Sequence, residues 1–371
     1  MKVAILMPRA TQRGGAEQLL DIFLKHVDPL ELEIITVFLD DGPLVQDYKA
    51  KGRDVAVVSA GRLRELHNFG KTVHSIRRLI EDQEVDLIFS WMSKAHLYGG
   101  LAALWTGIPA LWYQHGLPRP NSLMDRIITL VPASGVIACS RHVASLQRQL
   151  WPKRNTSVAY PCVDRKRFDP ARLPSPEKAR RELGLPADRP IVGIVGRLQR
   201  WKGIHVFVEA IDNVRRSLPD VYGVIVGGKH DLEPEYAGEV VNLIRKRSLH
   251  DHILQAGYQE NVPHWMQAMD IVVHASDVEP FGMVIIEAMA LGKPVVAGSA
   301  GGPREIISEG KDGLLARFGD PDALADRILA YLLLDPSLAT RVGSAARERA
   351  KDFQPDAYAP RLTKLIQSYA S

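Results

Sequence analysis

Cysteine is nearly absent: Cys139 and Cys162 are the only two among 371 residues. That excludes a disulfide framework and any thiolate-based metal site, and it suits two reduced thiols in a cytoplasmic protein. No apolar run approaches the ~20 residues of a membrane-spanning helix. Met1-Lys2 leads directly into Val3–Met7, which Pro8 ends. This run is too short for a secretory leader, and we expect a buried strand there. Metal-ligand spacings are missing: there is no H-E-x-x-H and no His/Cys cluster. Neither G-x-x-x-x-G-K-[ST] nor G-x-G-x-x-G occurs, which argues against P-loop and nicotinamide chemistry. No strand-end Asp-x-Asp dyad is present either, since Asp40-Asp41 precedes a Gly-Pro turn. Low-complexity segments are lacking.

What is present is ordinary for a soluble globular chain: 46% hydrophobic and 24% charged residues, enough for two domains. The net charge of +4 is unevenly spread. Up to Pro170 there are 22 Lys and Arg against 17 Asp and Glu, and afterwards 25 against 26. The basic excess therefore sits in the first half, in clusters such as Arg62 with Arg64, Arg77-Arg78, Lys153-Arg154 and Arg165-Lys166-Arg167. Such clusters are commonly solvated surface. The alternative is an anionic acceptor or an anionic membrane surface. A nucleic-acid partner is not expected.

Short apolar runs alternate with helical patterns. The first half predicts strands at Lys2–Met7, Glu33–Phe38, Val55–Ser59, Asp86–Ser90, Ala110–Tyr113, Gly135–Cys139 and Ser157–Tyr160. Helical patterns lie between them, including Ala16–His26, Thr72–Glu81 and His96–Trp105. Continuous hydrophobic runs of this kind read as buried parallel strands, and the alternation implies an α/β, doubly wound sheet. Cys162 to Arg189, with Pro170, Pro174, Pro176 and Pro186, is the expected linker, holding one short helix near Glu177–Leu183. Alternation restarts at Pro190–Gly196, with later strands at Gly223–Val226, Ile253–Ala256, Ile271–His274 and Pro294–Ala297. Two Rossmann-like halves with a ligand cleft at their strand ends follow from this pattern.

Glu279-Pro280-Phe281-Gly282 opens an apolar helical run that carries Glu287, eight positions on. Pro280 suits a first helical residue, and Gly282 lets a ligand approach the helix N-terminus. Glu279 would sit at the helix lip and Glu287 about two turns in, rotated by roughly 80°. Gly196–Gly203 follows the first strand of the second half, and its Arg197 and Lys202 suit a diphosphate. Gly14-Gly15-Ala16-Glu17 and Ala300–Glu305 are Gly-rich helix starts that can offer N–H groups to an anion, or simply make tight turns. His115-Gly116 follows a first-half strand. A structural role and a catalytic one are both open for that histidine.

Together these motifs resemble glycosyltransferase family 4, the retaining, nucleotide-sugar-dependent enzymes of GT-B fold. The matching pieces are Gly14–Glu17, Gly196-Arg197 with Lys202-Gly203, Glu279–Gly282 with Glu287–Ala290, Gly292–Ala297, and Gly301–Glu305. The resemblance implies an acceptor-binding domain over 1–168, a donor-binding domain over 169–354, and a C-terminal helix, 355–371, packing back on the first. It implies that Arg197 and Lys202 hold the diphosphate and that Glu287 holds the ribose. Glu279 and the N–H groups of Phe281 and Gly282 would hold the sugar. Gly15 would approach the distal phosphate, with Gly14 beside it in the donor-binding set, and His115 would contact the sugar. His115, Glu279, Arg197 and Lys202 form the implied catalytic set. No cofactor and no metal is expected. The donor is a nucleotide diphosphate sugar, UDP-sugar ahead of GDP-sugar. The acceptor is a glycan or lipid-linked hydroxyl, in glycan, glycolipid or cell-surface polysaccharide synthesis. Localisation would be cytoplasmic, with peripheral contact at an anionic inner membrane face. One departure is His274-Ala275-Ser276, where the family more often has Pro-Ser. Two other readings remain: a sugar-nucleotide epimerase of the same fold, and a non-catalytic nucleotide-sugar-binding protein.

Overall fold

The structure is a computed structural model that describes residues 1–11, 14–61 and 66–370. Arg62 and Arg64 of the basic clusters lie outside the described residues. The chain divides into two units, Met1–Pro161 with Pro355–Ser371, and Cys162–Gln354.

The first unit is built on β1 (Lys2–Met7), β2 (Glu33–Phe38), β3 (Val55–Val57), β4 (Leu87–Ser90), β5 (Ala110–Gln114), β6 (Gly135–Ala138) and β7 (Thr156–Val158). They form a parallel sheet in the order β3-β2-β1-β4-β5-β6-β7. Ile5 pairs with Phe89 and Tyr113 with Ile137, so large apolar side chains stack along the middle of the sheet. Both faces are covered, which is why Val3–Met7 are all buried and why the run does not alternate. Helix Gly15–His26 buries Leu19, Leu20 and Phe23 on one stripe. Helix Pro355–Ala370 belongs to this unit. Its Tyr369 hydroxyl lies 3.0 Å from Ser157 Oγ, and Arg361 Nη2 donates to the Val158 carbonyl at 3.0 Å.

The second unit holds β8 (Ile191–Val195), β9 (Tyr222–Val226), β10 (Ile253–Gly257), β11 (Ile271–His274), β12 (Val295–Gly298) and β13 (Leu314–Ala316). Their order is β10-β9-β8-β11-β12-β13, again parallel. β13 is absent from the sequence expectation, because three residues carry no readable period. The stretch from Cys162 to Arg189, expected as a linker, belongs to this unit, and the division lies somewhat ahead of the expected 168/169 boundary. Arg180, on helix Pro176–Leu183, explains why the stretch is anchored. Its buried guanidinium donates to Asp270 Oδ2 at 2.7 Å and to the Ala268 carbonyl at 3.0 Å. The same Asp270 oxygen accepts the Ile191 N–H at 2.7 Å, tying helix, β8 and β11 at one point.

In each sheet the strand order reverses beside the first strand, between β1 and β4 and between β8 and β11. Chain connections leave in opposite directions there, so the carboxyl ends of these strands open a crevice in each unit, the usual ligand position in such folds.

Candidate active site

In the second unit the expected site residues converge on the β8/β11 reversal. After β8, Gly196 and Arg197 lead into a turn of 3-10 helix, Arg200–Lys202. Two contacts pin that turn to the end of β11. Asp277 N–H donates to the Trp201 carbonyl at 2.8 Å. Gly203 has φ +69°, and any Cβ there would collide with the Ala275 carbonyl oxygen. A glycine therefore permits both the left-handed turn and the close approach. The result is that Lys202 Nζ lies 2.7 Å from Glu279 Oε2, with the Trp201 ring centroid 4.0 Å from the same ammonium.

The geometry around Glu279 corrects one expectation. The helix starts at Met283, not at Pro280, and runs to Ala290. Gly282, at φ +117°, breaks the backbone before it, so Glu279 lies on an extended segment. That segment bridges in parallel to Gly301, and Gly302 N–H donates to the Glu279 carbonyl at 2.8 Å. The Gly301-Gly302 turn thus braces the Glu279 backbone. Of the two readings the sequence left open, an anion site or a tight turn, the structure uses Gly302 N–H in the turn. The helix that follows, Pro303–Ile306, has only four residues. Phe281 is buried and meets Phe353 edge-on at 5.7 Å, fixing the start of the longer helix.

Glu279 is held by two side chains, with a third behind them. Besides Lys202, His274 Nε2 lies 3.0 Å from Glu279 Oε2, and Ser276 Oγ lies 3.2 Å from that nitrogen. An ionised carboxylate only accepts, so Nε2 carries the proton. The other ring nitrogen, Nδ1, is buried without a partner. Burial by itself would raise the Glu279 carboxyl, but the Lys202 charge and the His274 hydrogen bond outweigh it and hold the group well below the usual carboxylate range. The departure at His274 therefore has a physical role: it orients the acid next to it in space.

Glu287 behaves in the opposite way. It sits in the second turn of helix Met283–Ala290, buried, and burial pushes it up to about 7, against a smaller pull from the Arg167 charge. Two acids near one strand end are therefore driven apart in charge state. Arg167, grouped in the sequence with a solvated cluster, is a charge acting on Glu287, and its Nη2 donates to the Glu260 carbonyl at 2.9 Å. Arg197 Nη1 approaches His230 Nε2 at 3.4 Å. His230 was missed; the available signal was Gly227-Gly228 directly after β9, the same strand-end glycine pattern seen elsewhere in the chain.

Gly14, Gly15 and His115 belong to the first unit. Gly14 caps helix Gly15–His26, and its N–H donates to Glu17 Oε2 at 2.7 Å. Within the turn the Glu17 carboxylate thus occupies the Gly14 donor. Gly15 is the first helical residue. His115 follows β5, with ring centroids of Tyr113 at 4.0 Å and Trp91 at 5.4 Å. Its Nε2 is buried without a partner, and burial lowers the imidazole to about 3. It is thus neutral throughout the physiological range.

Comparison with known proteins identifies the family. The pattern described as "Glycosyltransferase Family 4" matches residues 13–167, and that described as "Glycosyl transferases group 1" matches 175–349. The chain belongs to glycosyltransferase family 4. Its two Rossmann-like sheets match GT-B structures. HepE of Anabaena, solved in complex with UDP and glucose, superposes with a TM-score of 0.87 at 27% identity, covering 99% of this chain and 100% of that one. Curated relatives include a D-inositol 3-phosphate glycosyltransferase of Corynebacterium urealyticum, 34% identical over 58% of this chain and 52% of the relative. A lipopolysaccharide core mannosyltransferase, LpsB of Rhizobium meliloti, is 29% identical over 56% of this chain and 59% of its own length. The chain spans about half the length of the curated relatives it matches.

Proposed function

We propose that this family 4 chain is a retaining glycosyltransferase that moves a sugar from a nucleotide diphosphate sugar to a hydroxyl group of a glycan or lipid-linked acceptor. One observation carries the reading: Lys202, paired at 2.7 Å with a buried Glu279 at the β8/β11 reversal, within the crevice end of a Rossmann-like sheet. A fixed cation and a fixed acid there match the two ends of a donor, a diphosphate and a sugar.

Breaking the bond from the anomeric carbon to the phosphate oxygen leaves positive charge on the sugar and a new negative charge on the diphosphate. Lys202 and Arg197 stabilise that leaving group, so the charge is met without a divalent metal. The acceptor oxygen attacks the anomeric carbon from the face the leaving group departs, which retains configuration. The hydroxyl proton passes to the departing phosphate oxygen, giving a glycoside and a nucleoside diphosphate. Glu279 accepts hydrogen bonds from sugar hydroxyls, and Glu287 from the ribose. Phe281 and Gly282 offer backbone N–H groups at the helix start. The full-length likeness to a structure in complex with UDP and glucose supports uridine over guanosine.

The test is incubation with UDP-sugars in EDTA, followed by product NMR. Free UDP with an α-configured product from an α-donor is expected. Interconversion of the donor sugar alone would instead identify an epimerase, and binding with no UDP release a non-catalytic protein.

A further inference from the structure

Among the described residues, large hydrophobic side chains are exposed at few places, and one region of the first unit gathers half of them. Helix Leu123–Leu130 turns Ile128 and Thr129 inward, yet leaves Leu123, Met124, Ile127 and Leu130 in solvent. Leu123 is 73% exposed. Helix Ser93–Thr106 packs beside it: Leu97 and Leu101 join Ile128 and Val131 in one apolar cluster. Leu104 continues that stripe by helical spacing, and Trp105 follows it, 59% exposed. A third element joins through Arg154, whose guanidinium donates to the Thr129, Leu130 and Val131 carbonyls at 3.1–3.3 Å. That clasp fixes the preceding turn, whose Trp151 is 74% exposed, next to the end of the helix.

The charge of this region is one-sided. From Leu104 to Arg154 the chain carries Arg119, Arg126, Arg141, Arg148, Lys153 and Arg154 against a single acid, Asp125. Asp125 is already engaged, accepting the Arg119 N–H at 3.0 Å. Exposed Arg119, Arg126 and Lys153 therefore accompany an apolar surface that includes two exposed tryptophans. A second copy of this chain laid on the face would bring like charges together. An anionic bilayer instead meets every feature: aliphatic side chains enter the acyl boundary, tryptophans sit at headgroup level, and cations pair with lipid phosphates.

We propose that helix Leu123–Leu130, with Leu104, Trp105 and Trp151 beside it, is a docking surface for anionic phospholipid membrane. It stands apart from the sugar-transfer reading, because docking is read without donor or acceptor. The test is co-sedimentation with vesicles of phosphatidylcholine containing phosphatidylglycerol, against pure phosphatidylcholine, paired with quenching of tryptophan fluorescence by brominated lipid. Binding to the anionic vesicles only, weakening with salt and accompanied by quenching, is expected. A Leu123→Ser/Ile127→Ser protein should bind about tenfold more weakly. Arg126→Glu/Lys153→Glu should erase the preference for anionic lipid, with UDP affinity unchanged in both as the check on folding. Equal binding to both vesicles, no binding to either, or a dimer in sedimentation velocity that the serine variant abolishes would overturn the proposal.

Discussion

Lys202 Nζ stands 2.7 Å from Glu279 Oε2, and both side chains are largely shielded from solvent. An ammonium has three donors, so pairing with Glu279 leaves two for a diphosphate. In the proposed reading the pair bridges the two ends of a donor, and His274 Nε2 holds the same Glu279 oxygen at 3.0 Å.

Glu279→Gln keeps the shape but removes the charge that holds Lys202 and receives the sugar. Donor turnover should fall by about 10²–10³-fold, with UDP affinity nearly unchanged. Lys202→Ala should lower both. Steady-state turnover alongside UDP calorimetry separates the two effects.

Glu279 also predicts a stability profile. Its folded pKa lies below the unfolded value near 4.5, so it stabilises the fold above pH 4.5 and that contribution is lost as acidification protonates it. Thermal melts should show the Glu279→Gln deficit largest at pH 6–7 and shrinking towards pH 3.

Glu287 has the reverse sign. Its pKa is raised to about 7, so the fold favours the protonated acid, and its stabilising effect, full below pH 4.5, disappears as pH rises through 7. Glu287→Gln should therefore melt higher than wild type at pH 8 and equally near pH 4. Ribose hydroxyls favour the carboxylate, so UDP binding should release a proton near pH 7 and strengthen about tenfold from pH 6 to pH 8. Calorimetry in buffers of different ionisation enthalpy measures this, and the pH dependence should flatten in Glu287→Gln.

His115, lowered to about 3, does not titrate in the working range. The kcat profile should lack a histidine limb between pH 6 and pH 8, even where donor binding changes. His115→Phe should reduce kcat and leave UDP affinity intact, as read by turnover and calorimetry.

Much of this architecture was legible in the sequence. β1, β2 and β11 have the expected bounds, because buried parallel strands are continuous apolar runs with clear ends. The convergence of Lys202 and Glu279, 77 residues apart, was legible only through the family's motif order; local pattern contains no such distance. Backbone conformation was less readable. Pro280 looks like a helix start, but the φ of Gly282 decides otherwise. Gly14 and Gly302 look like anion donors, yet their N–H groups serve Glu17 and the Glu279 carbonyl. A glycine advertises freedom without stating what uses it. Arg167 and His230 were hidden for a different reason, because their relevance is set by tertiary proximity alone.

The central claim is that Lys202 and its partners form a metal-independent nucleoside diphosphate site. Calorimetric titration of UDP in EDTA, with wild type beside Lys202→Ala, tests it most directly. The account predicts UDP binding by wild type and a loss of at least about tenfold in the variant, roughly 1.4 kcal/mol. Equal affinity in the two proteins, or no binding by wild type, would contradict it.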